Sequence, residues 1–437
     1  MTEEELGRLL LRPLDGEPTE PNRVDVVKAM RDGRRGRRWR AFLMGTGVTA
    51  LVAVAATGGV LAGGPADEMA PPVRPSVSAS APGEIIPPPQ PPKVPAGYRT
   101  PSEPVMRAAP VAQSGQALPP EPVMPSSCTA KPLPLGKAKS AAVNAGDPSG
   151  TYHVGWTEPV AGGDHDVLVW RDGKLVDTVK QSRPKAVMED INGSGVAVGG
   201  VSGYAPAPYL YRDGKVRRLP GAGVASAIND KGTIAGYWER AGRRWPQRWA
   251  SPETHPELMP LADGAVAGSV RDIDENGTVA AILEIPYEGW RTYLWYADGS
   301  IQRLAPPVVD AAGIPSFTPI AFRFGWLYGE VEALDPGTGV FTGGVLIFRY
   351  EPVSGTWQQV NDPDGKGQVP PRGSRGLDPN AALVVGKEVL KLSRVASKVE
   401  GTTLTAVSED AKVITGTTIS QAAVLTHPAS PTIWRCG

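Results

Sequence analysis

The chain has 437 residues, with 45 Lys and Arg against 45 Asp and Glu, 46 Pro, 52 Gly and two Cys. A net charge of zero gives no global field to draw nucleic acid, so nucleic acid is not an expected partner. Two cysteines cannot make a tetrahedral zinc site, and His153, His165, His255 and His427 are scattered without ligand spacing, so neither metal nor cofactor is expected.

Residues 1–40 form a short leader. Thr2 and Glu5 fit a capping box, Leu6, Leu9 and Leu10 share one helical face, and Pro13 stops the helix. A second amphipathic piece follows Asn22, with Val24, Val27 and Met30 at helical spacing. Neither piece buries a core alone, so each is a solvated tail or a docking peptide for a cytoplasmic partner. The arrangement resembles the short cytoplasmic leaders of actinobacterial membrane proteins, some of them linked to sigma-factor regulation.

Residues 41–64 carry no charge and span about 36 Å as a helix, enough for a hydrocarbon core of roughly 30 Å. Lys28, Arg31, Arg34, Arg35, Arg37, Arg38 and Arg40 precede this run, and Asp67 and Glu68 follow it. The expectation is one transmembrane helix contacting the lipid bilayer, with the N-terminus cytoplasmic and the C-terminal domain extracellular. Beyond it, residues 65–127 hold eighteen prolines and no Trp. Such a segment lacks the apolar bulk to offset ordering entropy and reads as a disordered, stiffened stalk of at most about 200 Å.

From Cys128 strand-like runs alternate with turn signals, and one line recurs. It reads AINDKGTIAG at Ala227–Gly236, DIDENGTVAA at Asp272–Ala281, DINGSGVAVG at Asp190–Gly199 and AVSEDAKVIT at Ala406–Thr415. Looser copies start at Ala141, Ile320 and Gly376. Each is a hairpin, and most are followed by a second hairpin turned at Asp-Gly, as in VLVWRDGKLVDTV from Val167. Two hairpins per unit make a four-stranded sheet, so residues 128–437 are expected to be an all-β β-propeller. Seven copies favour seven blades of about 44 residues each. Six are the alternative, because the Gly376 copy has room for two or three strands only. The repeated Asn144, Asn192, Asn229, Asp274 and Asp378 are read as Asx-turn residues opening these hairpins.

SAINDKGTIAGY at Ser226–Tyr237, followed by an aromatic strand ending in Arg248-Trp249, resembles the HAF-type repeats of extracellular bacterial proteins. Pro246-Gln247-Arg248 stands where the His-Ala-Phe step would be. The resemblance therefore implies a fold and an exported setting, and no activity.

The chain ends SPTIWRCG, matching VLVWRDG up to its turn and lacking a fourth strand, while CTAKPLPLG at Cys128–Gly136 resembles KVRRLPG at Lys215–Gly221. The N-terminal strand is thus expected to complete the last blade and remove the free edge. That pairing brings Cys128 and Cys436 within disulfide reach, a cross-link for which chain-entropy models give about 5 kcal/mol.

No G-x-S-x-G, H-E-x-x-H, Walker or dinucleotide motif occurs, and no catalytic residue is assigned. The loops of most unusual chemistry carry Trp238, Arg240, Arg243, Arg244 and Trp245, then Tyr287, Trp290 and Arg291. Aromatic planes beside arginines suit a sugar, an anionic cell-wall polymer or a surface protein; the alternative is that Trp245 and Trp290 wedge between blades while the charges stay solvated. The leading expectation is a non-catalytic binding or sensing module. The alternatives are an envelope glycan hydrolase or lyase on the propeller face, and a regulator acting through residues 1–40.

Overall fold

The computed structural model describes residues 97–98, 103–110, 118–157, 165–181, 185–201, 206–240, 242–307, 316–334, 341–361, 382–397, 402–418 and 429–437. The leader and the apolar run at 41–64 lie outside these residues. Among the described residues no helix is long and apolar enough to cross a membrane.

Six four-stranded antiparallel sheets make a six-bladed propeller. Blade 1 holds β3 (Ala141–Gly146), β4 (Tyr152–Thr157), β5 (Val167–Arg171) and β6 (Lys174–Val179). Blade 2 is β7 (Val187–Ile191) to β10 (Lys215–Arg218), blade 3 is β11 (Val224–Ile228) to β14 (Glu257–Leu258), and blade 4 is β15 (Ala267–Ile273) to β18 (Ser300–Arg303). Blade 5 is β19 (Phe317–Arg323) to β22 (Thr356–Gln359). Blade 6 combines β25 (Thr402–Val407), β26 (Val413–Thr418) and β27 (Ser430–Cys436) with β2 (Cys128–Pro132) from the other end of the domain.

The favoured count of seven is therefore corrected to six. The Gly376 copy forms only a two-stranded sheet, β23 (Ala382–Val385) with β24 (Glu388–Lys391), and residues 376–381, including Asp378, lie outside the described residues. Two strands expose both edges and too little apolar face for a blade, so this hairpin inserts Leu383, Val384, Val385 and Leu390 into the seam between blades 5 and 6. The core has six such seams, each a buried apolar cluster shared by neighbouring blades. Val154, Val169, Met188 and Tyr211 join blades 1 and 2, for example, and Val143, Trp170 and Ile433 join blades 1 and 6.

The expected closure holds. β2 pairs antiparallel with β27, placing Cys128 directly opposite Cys436, and the two form a disulfide with Cα atoms 4.0 Å apart. The chain end is tied further by Ser126 N–H, which donates to Gly437 O at 2.8 Å.

Every first strand carries a β-bulge, which sets one residue outside the cross-strand register: Asn144, Glu189, Ser226, Arg271, Ile320 and Thr405. The bulge explains the glycine that ends most copies of the repeat. A Cβ at Gly155, Gly199, Gly236, Gly329 or Gly416 would overlap a carbonyl oxygen of the bulged strand. Blade 4 has Ala281 at the equivalent place, opposite Val270.

The Asx-turn reading holds at three of the four positions among the described residues. Asn192 Oδ1 accepts from Ser194 and Val196 N–H, Asn229 Oδ1 from Thr233 N–H, and Asp274 Oδ1 from Asn276 and Thr278 N–H. Asn144 is the exception. It is the bulge residue of blade 1, and Asp147 opens that turn instead, accepting from Ser149 and Tyr152 N–H.

The proline-rich segment was expected to stand free, yet its described residues lie along the propeller. Tyr98 Oη accepts from Ala222 N–H at 2.8 Å. β1 (Val105–Met106) adds a parallel fifth strand to the edge of blade 4, and Arg107 stacks 4.4 Å over the Tyr296 ring. Met124 packs against the seam of blades 5 and 6. Composition hides this docking, because prolines seated on another surface need little apolar bulk of their own.

Candidate functional site

Alternating strand direction sorts the turns onto two ends. Turns joining strands one and two lie on one end, and those joining two and three lie on the other. The first end is knitted tight. Gly193 N–H donates to Asp230 Oδ1 at 2.6 Å, Asp230 N–H to Glu275 Oε2 at 2.9 Å, Phe324 N–H to a Glu409 carboxylate oxygen, and Glu409 N–H to Pro148 O at 2.7 Å. These bonds run in one direction from blade to next blade, crossing directly from blade 5 to blade 6. A cleft on this end is lined by Lys231, Arg248, His255 and Glu257. Arg248 and Glu257 stand opposite each other in register there.

The candidate residues lie toward the other end, on the second hairpin turns of blades 3 and 4. Trp238 and Trp245 are cross-strand partners with ring centroids 5.2 Å apart. At 6% and 8% exposure, under Tyr98 and Leu258, they are core side chains and present no open aromatic plane. Arg244 lies 4.3 Å over the Tyr237 ring and pairs with Glu239 at 3.2 Å. Arg240 and Arg243 face each other across the tip, the first exposed and the second half-buried.

In blade 4, Tyr287 occupies the turn tip with φ +68° and 99% exposure. Trp290 is half-buried opposite Glu284. Arg291 reaches Glu288 at 3.6 Å and donates to Trp290 O at 2.9 Å. Glu288 is shared with Arg303 at 2.5 Å, and Arg303 reaches Asp263 at 3.7 Å. The structure thus places five candidates, Trp238, Trp245, Arg244, Trp290 and Arg291, in supporting positions. It leaves Arg240, Arg243 and Tyr287 at the tips.

Sequence reading missed the residues that hold these arginines, Glu239 and Glu288, and the inner ring of bulge residues. First strands contact one another from blade 6 through blade 1 and on to blade 5, so they line the centre. Two of the bulge side chains bridge to the next blade: Asn144 Nδ2 donates to Met188 O, and Thr405 Oγ1 donates to Val143 O at 3.3 Å. Arg271 occupies this position in blade 4. Burial lowers its guanidinium to about 10, with the like charge of Arg244 adding to the fall and Glu330 of blade 5 opposing it. A signal for the ring was present, since each bulge residue directly precedes the Ala or Asp of the repeat.

The fold defines the class, a six-bladed β-propeller. No family model matches the chain and no curated protein matches it, so of the HAF-type resemblance the propeller fold alone is shown. Among solved structures, similar ones include TolB from Acinetobacter baumannii (9% identity, 69% of this chain and 64% of that one, TM-score 0.35). Others are an oligogalacturonate lyase in complex with manganese (13%, 68% and 90%, 0.39) and a gluconolactonase from Xanthomonas campestris (13%, 77% and 99%, 0.36). The match spans less than two thirds of the Acinetobacter protein, and likeness this low carries no functional argument.

Proposed function

We propose that this chain is a single-pass, membrane-anchored propeller displayed outside the cell, where it acts as a non-catalytic binding or sensing module. The observation that carries the reading is the pair of turns on one end of blades 3 and 4. Arg240, Arg243 and Tyr287 project at the tips, while Glu239 and Glu288 hold the arginines behind them in place. The exposed Arg240 guanidinium and Tyr287 phenol, with the half-buried Arg243 beside them, suit an anionic cell-wall polymer or the acidic patch of a surface protein. The uncharged run at 41–64 and the basic cluster before it support the anchor and its orientation. The Cys128–Cys436 disulfide fits an oxidising compartment. Residues 1–40 then remain as the cytoplasmic leader, open to a partner there.

The test uses the full chain with Arg240→Ala, Arg243→Ala and Tyr287→Ala combined. Exposed tips contribute little to folding, so the melting temperature should stay within about 1 °C. Sedimentation with isolated cell-wall polymer, or titration with a purified envelope protein, should show binding weakened by about tenfold or more. Undiminished binding to every envelope ligand that the parent chain retains would remove this face from consideration.

A further inference from the structure

Arg349 lies in β21 (Phe341–Glu351), the third strand of blade 5, and its side chain is 0% exposed. Burying a guanidinium is costly unless its charge and its donors are all answered. Here the head group lies 4.1 Å over the Trp326 ring, and Nε donates to Gln358 Oε1 at 3.1 Å. Nη1 donates to Tyr328 Oη at 3.4 Å, and that hydroxyl donates onward to Gly386 O at 2.8 Å. The opposite charge comes from outside the blades. Glu121 of the proline-rich segment, 228 residues away in sequence, takes Nη1 at 2.9 Å on Oε2 and Nη2 on Oε1. This is the two-point fork in which arginine reads a carboxylate most strongly.

The surface is shaped for the same segment. Gly386 has φ +60°, and a Cβ there would lie 2.5 Å from Glu121 Oε2 and 3.0 Å from Pro122 Cδ. Gly325, at φ +76°, leaves equal room for Pro119, whose Cγ is 2.7 Å from the missing Cβ. Met124 then enters the seam that the inserted hairpin shares with blades 5 and 6. Charge, hydrogen bonding and shape therefore converge on the four residues Pro119-Pro120-Glu121-Pro122.

We propose that the rim between blades 5 and 6 is a peptide-recognition site that reads an extended, proline-flanked glutamate, and that this chain fills it with its own residues 119–122. Proline holds the peptide extended before it docks, so little ordering entropy opposes binding. Arg349 supplies charge and register, Trp326 the stacking plane, and the two glycines the notches. The site is independent of the surface-binding reading above.

The experiment uses the full chain with Glu121→Gln and a synthetic peptide of residues 118–126, with a Gln-for-Glu peptide as control. The parent chain should exclude both peptides. Glu121→Gln should melt lower by about 5 °C or more, since it leaves a buried charge unanswered. It should also bind the acidic peptide about tenfold more tightly than the control and regain most of the lost stability. A melting temperature within about 1 °C of the parent, or equal binding of the two peptides, would overturn the proposal. Should Glu121→Gln fail to fold, Arg349→Met removes the charge that requires the carboxylate. The double variant should then melt within about 2 °C of Arg349→Met alone, and additive losses would overturn the proposal instead.

Discussion

Asp272 is buried, and each of its carboxylate oxygens has a backbone partner. Oδ1 accepts from Ile273 N–H at 2.9 Å, and Oδ2 accepts across the seam from Phe322 N–H of blade 5 at 2.7 Å. Asp190 does the same for blades 2 and 3 through Ile228 N–H at 2.8 Å. Asp272→Ala strands two buried donors and should cost roughly 1–3 kcal/mol, read from the shift of the urea midpoint. His153 gives a pH dependence of known sign. Burial, with the charge of Arg435 second, lowers its pKa to about 3, so it is neutral in the fold while the unfolded chain takes up a proton near pH 6.5. Its contribution is flat above pH 6.5, and stability falls as the pH drops from there toward 3. Between pH 7 and pH 5 this one group should cost about 2 kcal/mol, and His153→Leu should remove that part of the slope. Equal midpoint shifts in parent and variant over the same interval would show that His153 does not carry it.

Among the elements, the third strand organises blades 1, 3 and 4 through one aromatic side chain. Trp170, Trp249 and Trp295 are fully buried and donate from Nε1 to Pro134 O at 2.8 Å, Pro220 O at 2.9 Å and Pro260 O at 3.1 Å. Each bond staples a blade to the loop that leads into it. Trp249→Phe should cost about 1–2 kcal/mol for the lost donor, and Trp249→Ala about 3–5 kcal/mol with its cavity. Equal effects in chemical denaturation would mean that the indole N–H contributes nothing. Much of this level was legible in the sequence, because Asn-Gly, Asp-Gly and Asx turns impose hairpins locally and the repeat spacing sets the sheet size. The matching ends SPTIWRC and CTAKP likewise disclosed the shared last blade. Blade number was not legible, since the Gly376 copy keeps the local pattern while its partners are too short to make a second hairpin. Burial of Trp245 was one of the two readings the sequence left open, and that of Trp238 was not legible. An aromatic pair at a hairpin end has the same pattern whether it meets solvent or, as here, Tyr98 from another part of the chain. The Glu121–Arg349 pair was equally hidden, because nothing local marks a lone glutamate in a proline run as the partner of a distant strand.

For the molecule as a whole, closure rests on a strand pair and a covalent bond at the same place. Reduction should lower the unfolding free energy by about 2–5 kcal/mol and leave the far-ultraviolet spectrum unchanged, because β2 still pairs with β27. Reduced protein that is already unfolded at 25 °C would show the strand pairing to be insufficient alone. The placement of that bond has a mechanical consequence. Under the proposed topology, tension from a ligand held at the far end enters the domain through the docked proline-rich segment. β1 and the Glu121–Arg349 fork would give way first, releasing slack one contact at a time. Peeling would then reach Cys128 and stop, because the sulfur bridge bars β2 from leaving β27. Such an anchor yields length under flow while every blade stays in place.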